Sequence, residues 1–132
     1  MADTRERLQF TKPETVADYY MERLRGKETE EVILVMTDNK NRLICDRTLS
    51  KGTVNCSLVS PREIFLMAME YHAVHILLIH NHPSGDASPS RQDIEITKHL
   101  AQLCGMMQLP LTDHIIVGDN CYVSFRESGL LK

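Results

Sequence analysis

A short apolar segment near the middle of the chain most limits the folds open to it. Residues 74–79 are apolar except for one histidine, and their number and type predict a central β-strand buried on both faces. A Ser-x-x-Glu capping pattern followed by an apolar stretch predicts a helix over about residues 61–72, just before this strand. A second helix is predicted to begin near Ser90 and to end before Gly105. This pattern is typical of a mixed α/β fold.

The remaining elements complete one domain. Pro13 predicts the start of an amphipathic helix that ends before Gly26. Two hairpins are also predicted, one joining residues 32–36 to 42–45 and one joining residues 113–117 to 121–125. We therefore predict a single domain over residues 1–132, in which residues 1–10 form a flexible N-terminal tail.

The composition excludes several classes of protein. Hydrophobic residues make up 42% of the chain and charged residues 25%, which is ordinary for a globular protein and argues against disorder. The net charge of -3 and the pI near 6.0 give no general attraction to phosphate backbones, so a nucleic acid partner is possible but unsupported by charge. Because no signal-peptide core and no apolar run of membrane-spanning length occur, we expect a cytoplasmic protein without a membrane contact. The four cysteines have no C-x-x-C spacing and are expected to be reduced thiols.

Two histidines and one aspartate form the pattern that carries chemistry. His80 and His82 follow the predicted strand with one residue between them, so in extended chain their side chains project to the same side. At about 100° per residue, Asp93 falls at the centre of the apolar face of the second helix. A carboxylate that faces a core is costly unless it is paired or bound to a metal, and two neutral histidines are poor cations. Together the three side chains predict a divalent metal site.

Zinc suits this set of ligands. Two imidazoles and one carboxylate are typical zinc ligands, and three protein ligands leave the fourth tetrahedral position for water, which is the catalytic arrangement. The pKa of such a water would fall towards about 7, so that it could act as a nucleophile. The alternative is structural: Ser90 and Asp93 also form an S-x-x-D helix start in which the serine caps the helix. Histidines near strand ends are likewise often only hydrogen-bonded.

Residues 80–93 match the pattern H-x-H-x7-S-x-x-D, which resembles the JAMM motif of the JAB/MPN-domain metalloproteases. From about residue 10 to its end, the chain is similar to the bacterial RadC branch of that family. The resemblance implies an α/β (α+β) fold of the cytidine-deaminase-like type, a mixed sheet flanked by helices. It also implies one Zn2+ per chain held by His80, His82 and Asp93, with Ser90 helping to hold the metal-bound water or the developing oxyanion.

The family also uses a glutamate at the start of the first strand as a general base. Glu30 and Glu31 both lie there, and counting back from Asp38 places Glu30 on that position. Adjacent strand residues face opposite sides, so only one of the two can approach the metal. The alternative is that both are solvated residues flanking an edge. The implied activity is hydrolysis of a peptide or isopeptide bond in a protein or peptide substrate.

Other acidic residues and histidines are not placed in the site. Glu63 and Glu70 project together from their helix, away from its apolar side, and are expected to form a solvated stripe. Asp86 is typical of a loop aspartate that stabilises a turn. His114 is expected to lie in the core or to support the ligands, since a fourth protein ligand would displace the water.

Two functions of other classes stay open. The domain could be a non-enzymatic module for DNA-repair-associated assembly, although the retention of every motif position argues against a degenerate site. It could instead be a metal-dependent nuclease, which the cleavage of DNA rather than peptides would reveal. The sequence determines neither the substrate nor the oligomeric state.

Overall fold

The described part of the chain forms three helices and five strands. The computed structural model describes residues 8–52 and 60–131. Along these residues the order of elements is α1 (Pro13–Leu24), β1 (Glu31–Thr37), β2 (Leu43–Lys51), α2 (Pro61–Glu70), β3 (His75–Asn81), α3 (Arg91–Met106), β4 (Leu111–Val117) and β5 (Tyr122–Ser124). The three predicted helices, the central strand and both predicted hairpins are therefore confirmed.

The strands form one mixed sheet in the order β2-β1-β3-β4-β5. β3 and β4 are parallel and are joined through α3, whereas every other neighbouring pair is antiparallel. The three central strands β1, β3 and β4 are almost entirely buried, as strands covered on both faces should be. The predicted mixed sheet flanked by helices is confirmed.

Alternate residues of the central strands belong to two separate cores, because successive side chains point to opposite faces. On β3, Ile76 and Leu78 pack with α2 and α3, while Leu77 and Ile79 pack with α1. The sheet therefore has an α3 face and an α1 face, and each position on a strand is assigned to one of them.

The helices follow their sequence signals, with one exception. The Ser60 side chain accepts a hydrogen bond from the backbone N–H of Glu63 at 3.3 Å, as the capping pattern predicts. Glu63 and Glu70 are exposed, which confirms the predicted solvated stripe. The predicted end of α3 before Gly105 is wrong, since the helix includes this glycine. One glycine costs a helix only about 1 kcal/mol, and the chain turns at Gln108, where φ is 55°.

The end of β3 also differs from the prediction. The strand predicted over residues 74–79 continues to Asn81, because His80 and Asn81 are still paired with neighbouring strands. His80 is opposite Val32 of β1, and Asn81 is opposite Val117 of β4. The first histidine of the motif is thereby fixed by a strand on either side of it.

Some predictions fall partly outside the described residues. Residues 1–7 of the predicted tail do so, whereas residues 8–10 run beside the turn between β1 and β2, where Phe10 is buried. The single-domain organisation of residues 1–132 stays a prediction. Cys56 also lies outside, and the other three cysteines are free thiols. In the part of the chain that the structure describes, no helix is both long and apolar enough to cross a membrane.

Candidate metal centre

The candidate centre lies at the edge of the sheet where β1 begins and β3 ends. Val32 is opposite His80 in the antiparallel pairing of these strands. Glu30 and His82 therefore come opposite each other just beyond the two strand ends. The first turn of α3 brings Asp93 to the same place, on the α3 face of the sheet.

Four of the five predicted site residues are close together. The Asp93 carboxylate spans both histidines, with Oδ1 3.4 Å from His80 Nδ1 and Oδ2 3.3 Å from His82 Nε2. Glu30 Oε2 lies 3.9 Å from His80 Nε2. The two imidazoles are nearly perpendicular, with ring centroids 4.7 Å apart. Three different elements, distant in sequence, thus meet in one cluster of nitrogen and carboxylate groups.

Ser90, the fifth predicted residue, is the N-cap of α3. Its side chain accepts a hydrogen bond from the Asp93 backbone N–H at 3.0 Å, and Asp93 Oδ2 accepts one from the Ser90 backbone N–H at 2.8 Å. This capping box confirms the structural role that the S-x-x-D spacing allowed. The Asp93 carboxylate can take part in the cap and contact both histidines at the same time, because it has two oxygens with several acceptor sites.

The protonation of the cluster follows from burial and from its hydrogen bonds. Burial alone would raise the pKa of Asp93, but hydrogen bonds with His82 and Ser90 lower it below its ordinary value. The same bond to Asp93 raises the pKa of His82, whereas burial lowers the pKa of His80. At neutral pH the cluster therefore contains an ionised carboxylate beside a deeply buried neutral imidazole.

His82 is oriented by the loop that follows it. Its Nδ1 lies 2.8 Å from the backbone carbonyl oxygen of Asp86, which leaves Nε2 directed towards Asp93. A histidine that binds a metal usually forms a hydrogen bond through its other ring nitrogen, often to a backbone carbonyl oxygen. The Asp86 side chain is exposed and accepts from the backbone N–H of Ser88 at 2.9 Å, as expected of a turn residue.

The two adjacent glutamates have different surroundings. Glu30 is half-buried on the α3 face beside His80. Glu31 begins β1 on the opposite face, where its Oε2 lies 3.9 Å from Lys27 Nζ. The alternative that both are solvated residues at an edge is wrong, because β1 lies between β2 and β3 and Glu31 is buried. Only Glu30 is near the histidines.

The sequence did not predict the hydrogen bonds of three polar residues around the centre. His114 is buried, in agreement with the expectation of a core histidine, and its Nδ1 lies 2.6 Å from Thr97 Oγ1. Thr97 was one more polar residue of α3, and nothing in the sequence singles it out. Asn81 accepts a hydrogen bond from the Glu31 backbone N–H at 2.6 Å, which only the pairing of β1 with β3 could reveal.

The donor set fits a metal ion. Ligand atoms of Glu30, His80 and His82 all lie within 4.8 Å of one another in the described part of the chain, a spacing that could hold a cation. His80 Nε2 is buried and has no hydrogen-bond partner among the described residues. A buried polar atom without a partner is costly, and a bound cation would remove that cost.

A cleft of about 480 Å³ adjoins the centre on the α1 side of this edge. It is lined mainly by three segments that begin at the last residue of α1, β3 and β4: residues 24–28, 81–85 and 117–120. His82 belongs to the lining, whereas His80 and Asp93 do not. The cleft therefore offers room for a bound molecule beside the candidate metal ligands rather than around them.

Fold and cluster together define a mixed α/β domain with a group of residues at one edge of its sheet that could hold a metal ion. Comparison with known protein families identifies it more closely: the model of the RadC-like JAB domain matches residues 10–130, and the chain belongs to this family. The resemblance of residues 80–93 to the JAMM motif predicted this membership, which is confirmed.

Curated relatives agree with this assignment. A UPF0758 protein of Syntrophotalea carbinolica is 41% identical over 122 residues, which cover 92% of this chain and 54% of the relative. Another from Caldanaerobacter subterraneus subsp. tengcongensis is 42% identical, covering 94% of this chain and 53% of the relative. One from Clostridium perfringens is 44% identical, covering 94% and 55%. The chain thus spans about half the length of the relatives it matches, and their names state no activity.

Proposed function

We propose that this chain is a zinc-dependent hydrolase of the JAMM metallopeptidase type, acting on a peptide or isopeptide bond of a protein or peptide substrate. The observation that carries the proposal is the position of the Asp93 carboxylate, buried at the start of α3 within 3.3 and 3.4 Å of the two histidines. Membership of the RadC-like JAB family supports it, since that domain is related to metalloproteases.

His80, His82 and Asp93 would hold one Zn2+ per chain. Two imidazoles and one carboxylate are typical zinc ligands. The Asp93 carboxylate faces both imidazoles, with Oδ1 3.4 Å from His80 Nδ1 and Oδ2 3.3 Å from His82 Nε2, so the three candidate ligands lie side by side. Glu30 is farther away, at 3.9 Å from His80, which suits a residue that acts on a water molecule rather than on the metal.

Each remaining site residue has one task in the proposed reaction. When bound, zinc supplies a Lewis acid that polarises a carbonyl and acidifies water. Glu30 removes a proton from the attacking water and returns it to the leaving amine. Ser90 accepts a hydrogen bond from the Asp93 backbone, and its own hydroxyl hydrogen is donated to the oxyanion.

The pair of glutamates at the start of β1 gives the sharpest test. Glu30→Gln keeps the shape of the side chain but removes the base, so we expect hydrolysis to fall by about a hundredfold or more. Zinc content should stay at one ion per chain. Purified zinc-loaded proteins would be assayed against a panel of peptide, isopeptide and DNA substrates.

Glu31→Gln is the matched control, because it makes the same change one residue away on the opposite face. It should leave both zinc content and hydrolysis near those of the wild type. Wild-type protein without stoichiometric zinc would refute the proposal. DNA cleavage alone that depends on Glu30 would establish a nuclease instead, and zinc binding without any cleavage would point to a binding module.

A further inference from the structure

A buried histidine on the neighbouring strand contacts the candidate ligands without belonging to them. His114 lies on β4, where the parallel pairing places it opposite Leu78, two residues before His80. Its ring is stacked on that of His80, with centroids 5.7 Å apart and an interplanar angle of 25°. It is also stacked on Phe125, with centroids 4.5 Å apart and an angle of 20°. The His114 ring therefore contacts both an apolar residue and a candidate ligand.

The hydrogen bonds of His114 fix its tautomer. Thr97 Oγ1 lies 2.7 Å from the backbone carbonyl oxygen of Asp93, which can only accept, so the threonine hydroxyl donates to it. A hydroxyl has one hydrogen, and His114 Nδ1 at 2.6 Å must then donate to Thr97 Oγ1. The result is a relay from His114 through Thr97 to the turn of α3 that carries Asp93.

The ring is uncharged when it makes these contacts. A hydrogen on Nε2 as well would leave a buried, charged N–H group without a hydrogen-bond partner, which is costly, so only Nδ1 carries a hydrogen. Nε2 is buried and has no hydrogen-bond partner among the described residues. An uncharged ring can stack on His80 without repelling a cation bound to that residue, which a protonated ring would do.

We propose that His114 and Thr97 are positioning residues of the metal centre: the His114 ring sets the plane of the His80 imidazole, and its N–H acts through Thr97 to fix the first turn of α3. One ring thereby couples the ligand on β3 to the ligand on α3. The proposal rests on the zinc site of the proposed function. It assigns a positioning role to two residues that neither bind the metal nor contact a substrate.

The test is a zinc titration of metal-free protein against a chromophoric chelator. Thr97→Val keeps the shape of the side chain but removes the hydroxyl, and we expect zinc affinity to fall by about tenfold, as when the hydrogen-bond support of a metal ligand is lost. Thr97→Ser keeps the hydroxyl and should bind zinc nearly as tightly as the wild type. Rescue by serine separates the relay from mere loss of packing.

Thr112→Val is the matched control. Thr112 lies on the same strand as His114, and its hydroxyl donates to the backbone carbonyl oxygen of Ile76 at 3.2 Å, away from the centre. The substitution removes one threonine–backbone hydrogen bond, as Thr97→Val does. It should leave zinc affinity unchanged, and equal losses in the two valine variants would overturn the proposal.

A second measurement needs neither zinc nor a variant. Long-range proton–nitrogen correlation NMR on metal-free wild-type protein reports which imidazole nitrogen is protonated. We expect His114 in the Nδ1–H form, and an Nε2–H form would refute the relay even if Thr97→Val failed to fold. Absence of zinc binding by the wild type would instead refute the proposed function and, with it, the role assigned here, whatever the tautomer.

Discussion

The two faces of the sheet at the edge where β1 begins and β3 ends contain similar residues but differ in what those residues do. On the α3 face, Glu30, His80 and His82 converge on one point. On the α1 face, Glu31 and Asn81 make structural contacts with the backbone and with a lysine. Neighbours in sequence thus have opposite roles, because alternation along a strand separates their side chains.

The contrast extends to how each face satisfies its polar groups. The α1 face does so internally, since the Asn81 side chain accepts from the Glu31 backbone N–H and donates to the Thr29 carbonyl oxygen at 3.1 Å. On the α3 face, His80 Nε2 is buried and has no hydrogen-bond partner among the described residues, with Glu30 Oε2 3.9 Å away. The α3 face is therefore the one with a buried ring nitrogen that could bind an ion.

The largest expected effect is a loss of zinc affinity caused by a substitution on the α3 face. Asp93→Asn removes the buried charge that faces both histidines while keeping the size of the side chain, so zinc affinity should fall by more than about a hundredfold. Metal analysis after gel filtration, followed by chelator competition, measures this loss. Asp86→Asn is the control, because that exposed side chain only stabilises a turn, and it should bind one zinc per chain like the wild type.

The opposite result would also be informative. The ligand atoms of Glu30 lie within 4.8 Å of those of both histidines, so Glu30 rather than Asp93 could complete the site. If Asp93→Asn bound zinc as tightly as the wild type and Glu30→Gln did not, the two acidic residues would exchange roles. Zinc titration of both variants under the same conditions decides between them.

The sequence predicts the candidate ligands on the α3 face far better than it predicts the contacts that position them. Strand alternation and helix periodicity are local rules, and they predict His80, His82 and Asp93 as candidate ligands. The relay from His114 to Thr97 depends on the parallel pairing of β3 with β4, which places Leu78 opposite His114. No local pattern specifies that register, so the positioning residues emerge only once the strands are in place.

The same limit explains the boundary errors. Gly105 is a common helix stop, but α3 continues because its apolar face still packs in the core at Cys104. Proline and glycine after His82 signalled the loop that follows β3, whereas its start depends on pairing with β1 and β4. Burial and pairing, which involve distant residues, decide where an element ends.

A second variant tests the connection between the loop after β3 and the turn after β4. A Cβ atom added at Gly118 would lie 2.3 Å from the backbone oxygen of Gly85, a contact with backbone that the side chain cannot relieve. Gly118→Ala should therefore lower the free energy of unfolding by about 3 kcal/mol, near the upper end for overpacking. Denaturant unfolding of the metal-free protein measures the change.

Gly105→Ala is the matched control for that substitution. Apart from its chain neighbours and the backbone of its own helix, no atom of the described residues lies within 4 Å of a Cβ added there. The residue is helical, so alanine should stabilise the protein slightly. If Gly118→Ala were as stable as this control, the loop and the turn would not be in the close contact that the structure has. The position of Asp86, whose carbonyl orients His82, would then need another explanation.

The smallest expected effect concerns the α1 face. Asn81→Ala leaves the buried backbone N–H of Glu31 without its acceptor, which should cost about 1–2 kcal/mol of unfolding free energy. Zinc affinity should stay within about twofold of the wild type, because the ligands lie on the other face. Activity should fall more than zinc affinity does, since Asn81 bonds to the residues on both sides of Glu30. A loss of zinc binding equal to that of Asp93→Asn would show that the two faces are not separable, because the same strand end would then support ligands and base alike.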